Sequence, residues 1–358
     1  MLPAAAKYGY LNAKVRALRS RKLTQEDHHF LLAAKDLPAC LSYLATTSYS
    51  SCLPEFEQEA PELRFLERQL ARPLLTDYAK VIRSLRGAKQ QEVILALFRR
   101  FEAENLKILL RAQFAHLTRE AVSHLLYPIA HISRLPWDTL WACTSIQQCI
   151  DHLPPDIFGR SLQNALPQFD AQGRLFPLEM ALDFSCFHLL WEAIYGLGKS
   201  YNRTVSKNII ALYIDILNTL WVIRLKIEYQ LPAEEIVNYT IPGGNIISLT
   251  CLNSLARVQD ITTFINLLPH SFHQQLSEIK DWGNIDRSLE AYFLHYLARV
   301  FSGQPFHIGI AVAYLLEKEI ELSNLITLLQ MKALNFTIKE SRARLSWQLQ
   351  ENGYVPAS

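Results

Sequence analysis

The chain has 358 residues, and at the usual ~150 per domain that is room for roughly 2.4 domains. Half of the residues are hydrophobic and 20% are charged, which excludes an intrinsically disordered chain. Thirty-six Lys and Arg offset 34 Asp and Glu, and a formal charge of +2 is too balanced for a phosphate-backbone footprint, so no nucleic-acid partner is expected. Only 12 residues are glycine, under half of the ordinary ~7% usage, and glycine is what hairpins, bulges and dinucleotide loops consume. An all-α fold follows.

From the N-terminus, Met1 to Tyr8 lacks the apolar core of a secretory signal and runs into basic residues between Lys14 and Lys22, so a cytoplasmic protein is expected. As a helix, that basic run reads most simply as a solvated or partner-facing edge, with acidic headgroups as an alternative contact. Six cysteines, Cys40, Cys52, Cys143, Cys149, Cys186 and Cys251, include no C-x-x-C pair. They read as reduced, mostly buried thiols, with neither a zinc site nor a disulfide framework. The longest apolar stretch, Ile209 to Ile223, is interrupted by Asp215 and Asn218 and falls short of the ~20 clean residues that a bilayer span needs.

Helical periodicity is clearest from Gln91 to Phe114, where Ile94, Phe98, Phe101, Ile108 and Ala112 recur at steps of three and four. Asn105 lies within this stripe. A carboxamide on an apolar face must find hydrogen-bond partners or cost stability, and Glu102 lies one turn away to share its task. The pattern recurs as Asp215 with Asn218 and as Glu321 with Asn324. Arg111 and Arg224 each lie six residues after their asparagine, where the third copy has Gln330. Asn12 is a fourth asparagine in a similar setting, without an acid three residues earlier.

Downstream of each asparagine comes a helix-start signal: Leu23-Thr24, Leu117-Thr118, Leu231-Pro232 and Phe336-Thr337, at offsets of 11, 12, 13 and 12. Leu-Glu pairs at Leu66-Glu67, Leu178-Glu179 and Leu289-Glu290 keep the same order. Ordered agreement among these markers favours a true triplication over chance recurrence. The reading is three helical repeats, residues 1–104, 105–217 and 218–358, the last including closing C-terminal helices. Spacings of 93, 113 and 106 residues between the asparagines are too long for a fine-grained solenoid.

Candidate chemistry is sparse. Ala193 to Ser200 mimics a phosphate loop with Lys199 and Ser200 in the binding positions, but a long amphipathic helix precedes it where a strand is required. Gly196 and Gly198 read better as helix breakers. Ile241-Pro242-Gly243-Gly244 reads as a turn between helices, and Asp281 and Asp286 as capping or solvated carboxylates. His28-His29 and His270 with His273 lack a third ligand, so no metal is expected. No catalytic residue, cofactor or nucleophile–base set is read from the sequence.

Several stretches then resemble a known family, the C subunits of the V/A-type ATPases, whose eukaryotic equivalents are the d subunits. They are Tyr8 to Leu18, Glu104 to Lys107 with Arg111, Leu178 to Asp183, Asp215 to Asn218 with Arg224, Ile241 to Gly244, and Pro305 through Tyr314 to Glu321 with Asn324-Leu325. The resemblance implies three similar all-helical domains arranged as a funnel with pseudo-threefold symmetry. It also implies a non-catalytic rotor component, peripheral on the cytoplasmic face of the membrane, acting as a socket between a proteolipid ring and a central shaft made of the D and F subunits. The family pattern has Arg after the last Asn-Leu, and Ile326 stands there instead. From the residues alone, Asn12, Glu102, Asn105, Arg111, Asp215, Asn218, Arg224, Glu321 and Asn324 are the candidate structural struts. The alternatives are a helical scaffold unrelated to rotary complexes and, more remotely, a nucleotide-binding enzyme using Lys199 and Ser200.

Overall fold

The computed structural model describes residues 4–53, 62–276 and 279–346, and among them every regular element is a helix. The chain forms two compact units, Cys52–Arg203 and Met1–Ser51 together with Thr204–Ser358.

Three helices are long: Ala88–Phe114, Tyr201–Ile227 and Gly309–Ala333. Each ends nine residues beyond its asparagine, Asn105, Asn218 or Asn324. Beyond each end one residue turns left-handed, His116 (φ 54°), Gln230 (φ 52°) or Asn335 (φ 57°). The next N–H then reaches back to a carbonyl of the last turn, Leu117 to Ala112 at 2.8 Å, Leu231 to Leu225 at 3.1 Å and Phe336 to Met331 at 2.9 Å. This is the usual way to satisfy the orphan carbonyls of a helix end. A helix starts immediately afterwards, capped by the Thr118 and Thr337 hydroxyls in two cases and entered through Pro232 in the other. Thr24 plays the same part after Ala4–Arg19, with Asp27 completing a capping box.

In the Cys52–Arg203 unit, Ala88–Phe114 packs along Phe176–Gly196. Leu106, Leu109, Leu110, Leu140, Ile150, Phe158, Leu162, Leu178 and Leu182 form the core between these and the intervening short helices. An aromatic row of Phe98, Tyr78, Phe101 and Tyr127 continues along it, with the Arg68 guanidinium 3.9 Å over the Tyr127 ring. Gly196 closes Phe176–Gly196, Gly198 turns left-handed (φ 68°), and the Ser200 hydroxyl accepts from the Arg203 N–H. The segment that mimics a phosphate loop is thus a helix-to-helix joint.

In the other unit, Gly309–Ala333 is central, with Ile310 through Lys318 all buried. Ala4–Arg19 and Leu37–Leu44 pack on it from the start of the chain, and Ile285–Val300 from the end. At Gly309 a Cβ would come within 2.4 Å of Val205 Cγ1, which fixes how closely this helix approaches Tyr201–Ile227. Tyr201–Ile227 is long and apolar enough to cross a membrane by length and composition, and 56% of its most apolar window is buried inside the protein. Asp215 and Asn218, the residues that interrupt its apolar run, are both buried within the unit.

Candidate functional site

The three asparagines of the long helices do one thing in common. Asn105 donates from Nδ2 to the Tyr127 carbonyl at 2.9 Å and accepts at Oδ1 from the Tyr127 N–H at 2.8 Å. Asn218 does the same to Ile241, at 2.8 and 2.7 Å. Asn324 accepts from the Ser346 N–H at 2.8 Å and donates to the Ser346 hydroxyl at 2.8 Å. The partners lie 22, 23 and 22 residues downstream. A carboxamide matches the donor and acceptor of a backbone residue, which Asn105 and Asn218 use in full, while Asn324 replaces the carbonyl with the Ser346 hydroxyl; each asparagine thus clips a returning segment to the side of its helix. All three are 4% exposed or less, which removes water as a competitor for these bonds.

The acid one turn earlier grips a second point. Asp215 accepts the N–H groups of Asn245 and Ile246 at Oδ2, at 3.0 and 2.8 Å, and of Ile247 at Oδ1, at 3.1 Å. Burial pushes its carboxyl upward, against the lowering effect of those three donors. The Pro-Gly-Gly sequence explains itself here: Gly243 is left-handed (φ 106°), and a Cβ on Gly244 would lie 2.1 Å from Asp215 Oδ1. Glu102 accepts from the Ser133 hydroxyl, which itself accepts from the Trp137 indole at 2.9 Å, and burial is the main cause of its raised carboxyl.

Glu321 takes partners from the start of the chain, the Leu23 N–H at 3.0 Å and the Tyr49 hydroxyl at 2.9 Å, together with Lys318 on its own helix. One turn before it, the buried Glu317 receives a two-pronged contact from Arg19, at 2.8 and 2.9 Å, and Lys22 at 3.1 Å. Lys332 donates to the Leu32 and Ala34 carbonyls at 2.8 and 2.6 Å. A cleft of about 120 Å³ opens beside this group, lined by Lys22, His28, Glu317, Glu321 and Asn324 among others.

The other three candidates stand apart from the clips. Asn12 is half-buried and accepts from Arg16 on its own helix at 3.0 Å. Arg111 is largely exposed and pairs with Glu179 at 2.7 Å. Arg224 is exposed and faces Glu228 at 3.7 Å. Lys107, two residues beyond Asn105, bonds Asp183 at 2.7 Å and Glu104 at 2.8 Å. Glu317, Lys318 and Lys332 carry no mark in the asparagine spacing, although Glu317 and Lys318 interrupt an apolar run that begins at Ile308 and Lys332 follows it. Asp281 caps Gly283, in keeping with its expected capping role. Among the described residues no group of three or more His, Cys, Asp or Glu is placed to hold a metal ion.

This arrangement defines a class: an all-helical protein whose buried polar side chains brace long helices against the segments that return along them. Comparison with known sequences makes it particular. The model of the ATP synthase (C/AC39) subunit family matches residues 11–344, and the chain belongs to that family. Among curated relatives, the C subunit of the A-type ATP synthase of Methanocaldococcus jannaschii is 22% identical over 95% of this chain and 86% of its own length. The C subunits of the A-type ATP synthases of Methanothermobacter thermautotrophicus and Pyrococcus horikoshii are 26% and 23% identical, each over 89% of this chain, covering 82% and 84% of the relatives.

Proposed function

We propose that this chain is a non-catalytic rotor component of a V/A-type ion-translocating ATPase. In this reading it acts as a socket that couples a shaft of the D and F subunits to the membrane proteolipid ring, peripheral on the cytoplasmic face. Family membership over residues 11–344 supports the placement in such a complex. The observation that carries the mechanical role is the recurrence of the asparagine clip at separations of 22, 23 and 22 residues. A part that transmits torque must not let helices slide, because slippage dissipates the work. A bidentate clip at the peptide group resists sliding and rotation together, and a buried acid beside it gives a second fixed point. We further propose three repeats, 1–104, 105–217 and 218–358, arranged about a pseudo-threefold axis as a funnel, with one clip opening the second repeat, one opening the third and one holding the closing C-terminal helices.

The test is co-expression with the shaft and proteolipid proteins of the same complex, followed by affinity capture through this chain from detergent extract. Capture of both the coiled-coil shaft protein and the ring supports the coupling role. Capture of neither, from an extract in which the two assemble with each other, refutes it. Steady ATP turnover by the purified chain alone would refute the non-catalytic assignment.

A further inference from the structure

The first 25 residues hold six basic side chains and no Asp or Glu, in a chain whose whole formal charge is +2. The Ala4–Arg19 helix divides that charge between its faces. Tyr8, Leu11, Val15 and Leu18 form the buried edge. Arg16 is taken up by Asn12 and the Phe301 carbonyl, while Arg19 and Lys22 are taken up by Glu317. The adjacent stripe, at steps of three and four, carries Lys7, Tyr10 and Lys14, and Arg21 follows in the turn beyond the helix. Lys7 and Arg21 are exposed, Lys14 is half-buried, and Tyr10 is 65% exposed. Glu317 and Glu321 on the helix packed beneath are buried and already bonded, so they do not neutralise this outer stripe.

We propose that this stripe rests on an anionic lipid surface, with Lys7, Lys14 and Arg21 facing headgroup phosphates and Tyr10 at the depth of the interface. A single convex helix, with cations about 10 Å apart along its axis, suits a continuous plane of phosphates better than the discrete sockets of an acidic protein. Lysine ammoniums on long stems and a tyrosine with an apolar body and a polar tip are side chains that such an interface favours. This contact with lipid goes beyond the coupling of shaft to ring and draws on that reading only for the nearness of a membrane.

The experiment is co-sedimentation of the full chain with vesicles of phosphatidylcholine alone or with about a third phosphatidylglycerol, at low and at physiological salt. The expected result is binding to the anionic vesicles only, weakened by salt. The triple variant Lys7→Ala, Lys14→Ala, Arg21→Ala should lose about tenfold or more in partitioning, at roughly fivefold per charge at most. Tyr10→Ala should lose a few-fold. A matched control, Arg83→Ala, Arg86→Ala, Lys89→Ala, removes the same charge from other exposed positions and should bind like the parent. Lys7→Arg with Lys14→Arg should bind like the parent as well, and circular dichroism confirms folding of every variant. Absence of anionic-vesicle binding, equal loss in both triples, or loss of an acidic protein partner with vesicle binding intact would each overturn the proposal. Capture of shaft and ring in detergent by the lysine–arginine triple is read separately, so failure of the lipid contact is distinguishable from failure of the coupling role.

Discussion

Replacing Asn218 with leucine tests the clip most directly. The side chains are similar in size, so Asn218→Leu keeps the packing and removes two hydrogen bonds, those to the Ile241 carbonyl and N–H. Ile241 is 2% exposed, so both groups are left buried without a partner. At about 1–3 kcal/mol for each of the two groups, less about 1 kcal/mol for the added apolar burial, the expected loss is about 1–5 kcal/mol. For a unit of about 200 residues this lowers Tm by about 2–12 °C. Thermal denaturation followed by circular dichroism measures the total, and hydrogen exchange at the Ile241 amide locates it, since a loss of about 2 kcal/mol speeds exchange through local opening by about 30-fold. Asn105→Leu should act at Tyr127 in the Cys52–Arg203 unit with a smaller loss, because the Tyr127 carbonyl keeps the Ile129 N–H at 2.9 Å as a partner. Unchanged melting and unchanged exchange in both variants would refute the clip as a source of stiffness.

Gly244→Ala should cost about 2–4 kcal/mol, because its Cβ would collide with the Asp215 carboxylate, and less than about 1 kcal/mol in an Asp215→Ala background; denaturant melts of the single and double variants measure the coupling. Glu317→Gln removes the charge that Arg19 and Lys22 share, and with both partners partly exposed the expected cost is about 1–3 kcal/mol; melting should fall, and protease cutting between residues 1 and 51 should rise. Burial pushes the Glu290 carboxyl from 4.5 up to about 7, with Asp286 adding to the rise and Ser346 and Asn324 opposing it. The folded protein then holds a proton there that the unfolded chain has released, so stability falls as pH rises from about 4.5 through about 7. Glu290→Gln should flatten that slope, and a Tm-against-pH series with the same slope in the variant would exclude this carboxyl as its source.

Helix content and the polar positions were legible because an Asn or acid on an apolar stripe violates the periodicity that surrounds it. Their partners were not. Tyr127 and Ser346 lie in stretches with no pattern of their own, Ile241 opens a segment legible only as a turn, and the bonds use backbones or a small hydroxyl, which spacing does not mark. Pro242-Gly243-Gly244 was legible as a turn, but the need for Gly244 comes from a carboxylate about 30 residues earlier. Asn12, which has Gly9 where the others have an acid, sits half-buried and bonds Arg16 on its own helix. The pairing of Glu317 with Arg19 joins residues 298 apart in sequence, a distance at which neither helical nor strand periodicity carries information.

That long-range pairing also orders events during synthesis. Cys52–Arg203 is one uninterrupted stretch, so the contacts within it are free to form once its last residue has left the ribosome. Residues up to Ser51 find Glu317, Glu321 and Lys332 only after nearly the whole chain has been made. The first segment translated is therefore among the last to settle, and its basic, acid-free composition keeps it soluble through the wait. In a growing polypeptide, the middle of this protein becomes a finished body while its two ends are still strangers.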